Sequence, residues 1–237
     1  MKKLLKIIFK IFGGLLLIGL IAFGILYAVY NESLPEGKSG PAADALAEKV
    51  LKSINYDAYK NTRYLEWTFA GGAHQYKWDK VRGIVEVKWD DYQVILNMKN
   101  ASKSDVWNNG IEVFGNGRQK LIKKATDFFN NDSFWLVAPF KVFDEGTERS
   151  IVKLEDGSDA LLITYTEGGT TPGDSYLWKL QPSGFPESFR MWVGIIPIGG
   201  LEATWDDWKI MESGVFLPAS HKMGPVTLFM SDVSAYN

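Results

Sequence analysis

The 237-residue sequence predicts a mainly β, α+β protein: one curved antiparallel sheet of about eleven strands, with helices packed on one face, behind a single N-terminal transmembrane helix. Three observations predict it. Apolar residues alternate with polar ones at period two over most of the chain beyond Arg63, as half-buried antiparallel strands require. Helical spacing does not recur between strands, as a parallel sheet with crossover helices would need. Residues 11–30 run for twenty positions without a charge, enough at about 1.5 Å per residue to span a hydrocarbon core of roughly 30 Å.

Lys2, Lys3, Lys6 and Lys10 precede that run, so the basic tip is expected in the cytoplasm and the rest across the membrane. A cleaved signal peptide shares the basic start, but it has an apolar run of roughly 7–15 residues and a small-x-small cleavage site. Here the run is longer and ends in Ile25, Leu26, Tyr27, Val29 and Tyr30, with its best small pair, Ala22 and Gly24, inside it. Tyr27 and Tyr30 suit an interfacial aromatic belt. The expected organisation is a tip and anchor over residues 1–31, a linker over 32–41 containing Pro35, Gly37, Gly40 and Pro41, and one domain over 42–237. The location expected is the inner (cytoplasmic) membrane, single pass, with the domain on the outer or periplasmic side. The chain has no cysteine to carry a lipid anchor.

Residues 42–54 read as a helix, with Leu46, Val50, Leu51 and Ile54 on one face and Pro41 at its start. Strands follow at 63–69, 85–89, 92–98 and 111–114, with turns at Gly71-Gly72 and Asn109-Gly110. Residues 119–129 read as helical through Leu121, Ile122, Ala125, Phe128 and Phe129. A dense apolar stretch, residues 134–140, comes next; Ala138 and Pro139 are expected to keep it from being a regular strand or part of a long helix. Strands resume at 149–154, 161–166, 175–180, 187–193, 201–208, 215–222 and 227–233.

Composition removes several function classes. A net charge of −2 gives no long-range field toward nucleic acid. The absence of cysteine removes thiol catalysis, and two histidines make a multi-histidine metal site unexpected. No cofactor is expected. The doublets Asp90-Asp91 and Asp206-Asp207 read as turns, because neighbours on a strand point to opposite faces and make a poor catalytic pair. His74 reads as a hairpin tip and His221 as a strand end, with no acidic residue spaced to orient either. Gly115-Asn116-Gly117 and Gly168-Gly169 lack the strand–loop–helix setting of a nucleotide site and read as turns.

The remaining signal is aromatic: nine Trp, ten Tyr and fourteen Phe. Alternation places Trp67 with Leu65 and Phe69, Trp89 with Val85 and Val87, and Trp178 with Tyr176 and Leu180. Trp192 has the opposite parity from Phe189, Met191 and Val193. These side chains form either an ordinary core or a concave lipophilic groove covered by the helices and residues 134–140.

Four stretches resemble a known family. Trp205-Asp206-Asp207-Trp208-Lys209 followed by Ser213-Gly214-Val215-Phe216-Leu217-Pro218 is similar to a phrase in lipoprotein-carrier-like (LolA/LolB-like) domains. So are the opening helix followed by residues 61–69 and the turn in residues 107–113, and residues 134–140 resemble an insert of exported relatives. The resemblance spans about residues 42–233 and implies a half-barrel whose concave face is closed by helices around a hydrophobic cavity. It implies a lipid or acyl-chain ligand held by Trp67, Trp89, Trp135, Phe140, Trp178 and Trp192. In the family's soluble carrier an arginine near the start of the sheet controls opening, and Arg82 is the nearest match. The family's carriers are soluble or lipid-tethered, whereas this chain carries a protein anchor through residues 11–30. The expectation is a ligand-binding protein and not an enzyme; the alternatives are a scaffold domain with a filled aromatic core and, third, an enzyme of unknown type.

Overall fold

The computed structural model describes residues 2–168 and 170–237. Met1 and Gly169, the second glycine of an expected turn, lie outside the described residues, as do the side chains of residues 2–5, Lys2 and Lys3 among them. Helix α1 (Lys2–Tyr30) is long and apolar enough to cross a membrane, and its residues from Lys6 are exposed throughout.

Strand β1 (Lys38–Ser39) is followed by α2 (Pro41–Ser53) and α3 (Tyr56–Asn61). Next come β2 (Tyr64–Phe69), β3 (His74–Asp79), β4 (Ile84–Trp89), β5 (Tyr92–Asn97), β6 (Asp105–Asn108) and β7 (Ile111–Glu112). Helix α4 (Gly115–Val137) divides these from β8 (Thr147–Lys153), β9 (Asp159–Tyr165), β10 (Ser175–Leu180), β11 (Pro186–Trp192) and β12 (Leu201–Thr204). The chain closes with β13 (Lys209–Ile210), β14 (Phe216–Leu217), β15 (Ser220–Met223), β16 (Val226–Phe229) and β17 (Ser231–Tyr236).

The protein is mainly β and antiparallel, with helices against the sheets. The strands divide into a seven-stranded sheet, β17-β2-β3-β4-β5-β6-β7, a six-stranded sheet, β1-β8-β9-β10-β11-β12, and two ribbons. The inner faces of both large sheets feed one core with α2 and α4. The division follows from breaks in the last third of the chain. Pro218 has no N–H for a ladder, so the expected strand 215–222 splits into β14 and β15. The expected strand 227–233 splits at Met230, and its second half leaves to pair with β2.

Two expectations change in detail. The stretch 32–41 is stitched into the domain, since β1 pairs with β8 through Lys38↔Ile151 and Ser39↔Ser150. Phe134 to Val137 form the last turn of α4, so the expected short helix and the apolar stretch are one helix of 23 residues. The helix stops where Pro139 starts a 3-10 turn over Ala138–Phe140. The aspartate doublet turn holds: Asp90-Asp91 links the paired Trp89 and Tyr92, with Asp90 at φ 47°, a left-handed conformation aspartate tolerates.

Candidate functional site

The inner face is an aromatic wall assembled from both sheets. Trp67 stacks on Tyr76 at 4.7 Å and meets Phe129 of α4 at 6.1 Å. Trp89 meets Phe128 of α4 edge-on at 5.6 Å. On the other sheet Trp178 stacks on Trp205 at 5.3 Å, and Phe189 lies 4.8 Å from Trp205. Trp135 reaches Phe189 at 5.8 Å, and Phe140 stacks on Tyr59 at 4.2 Å. Trp67, Trp89, Trp135, Phe140 and Trp178 therefore share one core.

Trp192 does not join them. Its parity sends it to the other face of β11, where it packs near Val152, Ala160, Leu162 and Leu177. Its Nε1–H donates to the Glu32 carbonyl at 2.8 Å. Arg82 is exposed in the β3–β4 turn, where its backbone N–H donates to Asp79 Oδ1 at 3.1 Å.

The wall carries donors that nothing accepts. The indole nitrogens of Trp67, Trp78, Trp89, Trp178 and Trp205, with the Tyr165 hydroxyl, are buried without a hydrogen-bond partner among the described residues. An orphaned buried donor costs about 1–3 kcal/mol. A core that serves only to be filled does better with Leu or Phe at such positions.

Helix α4 lies over the wall through Ile122, Ala125, Phe129 and Leu136. That spacing is helical, and Asp132 occupies the same stripe while only 1% exposed. Its carboxylate is held from the sheet. Tyr76 Oη donates to Oδ2 at 2.5 Å, and His74 Nδ1 bonds the same oxygen at 2.7 Å. Asn131 Nδ2 donates to Oδ1 at 3.0 Å. The His74 ring also stacks on Phe128 at 4.0 Å. Burial and then the Asp132 charge push the Tyr76 hydroxyl far above its ordinary value. An acidic partner thus does orient His74, contrary to the expectation from local spacing, and His74 begins β3 rather than tipping a hairpin. Asp132 lies 58 positions away, so no local pattern reveals the pair.

At the end of α4 stands His221, fully buried against Trp135 at 5.2 Å and Trp205 at 4.9 Å. Its Nδ1–H donates to the Thr204 carbonyl at 2.9 Å. Burial lowers its pKa to about 4, so the ring is neutral near pH 7. Pro139 has no N–H for the Trp135 carbonyl four residues earlier, and His221 Nε2 is buried without a hydrogen-bond partner among the described residues. On the other flank Lys80 donates to the Tyr59 carbonyl and lies 3.5 Å from the Tyr59 ring centroid. Burial lowers its ammonium to about 8.

Two described clefts lie along the seven-stranded sheet, and each has wall residues in its lining, Trp67 and Tyr76 in one and Trp89 in the other. One of about 190 Å³ is lined by Glu66, Gln75, Lys77 and Glu86 on the outer face of the seven-stranded sheet. One of about 440 Å³ is lined by Gly72, Asp90, Asp91 and Asn109 at its turns. Among the described residues no group of three or more His, Asp or Glu is placed to hold a metal.

No protein-family model matches the chain, and no curated protein matches it. Among solved structures it is similar to a DUF1329 family protein from Desulfovibrio piger, at 9% identity and a TM-score of 0.41, over 81% of this chain and 92% of that one. A likeness so distant carries no argument, and the fold rests on the strand pairings themselves.

Proposed function

We propose that this is a membrane-anchored protein that binds a lipophilic ligand, the acyl chains of a lipid or lipoprotein, on the aromatic inner face of its sheets, and carries or holds that ligand near the membrane. Helix α4 is the cover. The observation that supports this reading is the row of orphaned indole donors on an otherwise apolar wall. A ligand joining hydrocarbon to ester oxygens buries its chains there and offers acceptors to those donors. The polar docking of α4 supports it too. A buried carboxylate at the centre of a helix's apolar stripe suits a contact that forms and breaks better than permanent packing. Burying an acyl chain contributes about 0.8 kcal/mol per CH₂, so fourteen carbons give on the order of 10 kcal/mol before ordering costs.

A second reading, a scaffold domain with a filled core, is favoured by one observation: Trp67 and Trp178 are fully buried under their neighbours. Trp135→Ala separates the two. As part of a cover, it costs little stability and changes the binding of a fluorescent fatty acid. As part of a permanent core, it costs about 3–5 kcal/mol and the parent protein binds no probe.

A further inference from the structure

The apolar hairpin tip between β11 and β12 stands beside the end of the membrane helix. Residues 193–200 contain no charge and read Val193-Gly194-Ile195-Ile196-Pro197-Ile198-Gly199-Gly200. Ile196 packs against the core, while Ile195 is 68% exposed and Pro197 is exposed beside it. The base of the tip is bound to the residues that follow α1. Glu32 N–H donates to the Gly199 carbonyl at 2.9 Å, and Gly199 N–H donates to Asn31 Oδ1 at 2.9 Å. Arg190 Nη1 donates to Glu32 Oε2 at 2.7 Å, and Trp192 Nε1 bonds the Glu32 carbonyl. Space at this junction is tight. A Cβ on Gly199 would strike the Trp192 ring and come 2.8 Å from the Glu32 carbonyl.

Ile195 and Gly199 are four positions apart, which places Ile195 within about 14 Å of the junction. The headgroup region on one side of a bilayer is roughly 5–8 Å deep, on top of the hydrocarbon. We infer that the 194–198 tip docks into the lipid surface of the membrane that α1 crosses, so that the domain sits on that bilayer at two points. This rests on the reading of α1 as a membrane span. The partner is lipid because the tip offers isoleucine and proline without charge, and because its base is hydrogen-bonded to the end of the apolar helix. Docking at two points fixes how the domain faces the membrane.

The lack of native cysteine makes single-site labelling direct. The full chain, reconstituted into phosphatidylcholine nanodiscs, carries an environment-sensitive nitrobenzoxadiazole dye at Ile195→Cys, at Leu17→Cys in α1, or at Ile111→Cys. Ile111 is 73% exposed and lies on the last strand of the other sheet. Spin-labelled lipids quench each dye by depth. The expected result is strong deep quenching at 17, shallow quenching with protection from iodide at 195, and neither at 111. Quenching at 17 with an iodide-accessible, unquenched 195 overturns the docking and leaves the anchor intact. No quenching at 17 overturns the anchor and the docking with it. Equal quenching at 111 and 195 overturns the assignment to this tip.

Discussion

Asp132 shows how one side chain sets the character of the interface between helix and sheet. It takes a stripe position where Ile122, Ala125, Phe129 and Leu136 are apolar, and it binds Tyr76 and His74 across the gap. Asp132→Ala leaves the Tyr76 hydroxyl and His74 Nδ1 without their acceptor, at about 1–3 kcal/mol. Asp132→Asn keeps an acceptor and costs less. Urea unfolding of the two variants checks the order; equal costs would show that packing alone docks α4.

His221 gives the fold a dependence on pH. Its ordinary value of 6.5 falls to about 4 in the folded chain, through burial. Between those values the unfolded chain holds more protons, so stability rises with pH across that window. The contribution is complete above about pH 6.5 and is lost as pH falls toward about 4, by about 3 kcal/mol. In His221→Gln this slope disappears from unfolding free energies measured across the same range; an unchanged slope would assign it to other groups.

At the scale of elements, the sequence was most legible where alternation was made of aliphatic residues. The helix over 42–54, the strands holding Val85, Val87, Val94 and Leu96, and the turns at Asp90-Asp91 and Asn109-Gly110 all formed where the pattern put them. Strand β3 was missed although it alternates, because its inward residues His74, Tyr76 and Trp78 have polar tips and stand close to Gly71-Gly72. Strand β6 is only four residues long, too short for period two to register. The aromatic wall was legible by parity for Trp67, Trp89 and Trp178; Trp192, expected in the same cavity, lies on the other face of β11, as its opposite parity dictates. The Asp132 pair was not, because it depends on tertiary packing between α4 and β3.

The segment before α2 also carries a prediction at this scale. Its composition suggested a free tether, yet Ser39 Oγ bonds Ser150 Oγ at 2.8 Å and Glu32 is bound by Arg190 and Trp192. A chain beginning at Asn31 should therefore unfold at higher urea concentration than one beginning at Pro41. Both should give β-dominated far-ultraviolet circular dichroism. Equal midpoints would mean that the edge strand contributes nothing.

At the scale of the whole molecule, the proposed anchor, hairpin tip and aromatic wall make a domain held on a membrane surface, its inner face covered by α4. On the proposed topology, the four lysines ahead of the apolar run hold the N-terminus in the cytoplasm and the domain lies on the other side. Protease added to spheroplasts should then digest the domain, and protection until lysis would reverse the topology. All nine tryptophans lie beyond α1, which makes their fluorescence a report on the domain alone. Trp192, beside the membrane end, is removed as Trp192→Phe, and the full chain is placed in nanodiscs containing phospholipid brominated on its acyl chains. The central claim predicts quenching of the remaining tryptophans, because acyl chains enter against Trp67, Trp89 and Trp178, and relief of that quenching by an excess of unbrominated fatty acid. Fluorescence identical in brominated and unbrominated nanodiscs would contradict it, and would leave the domain as a scaffold with a closed core.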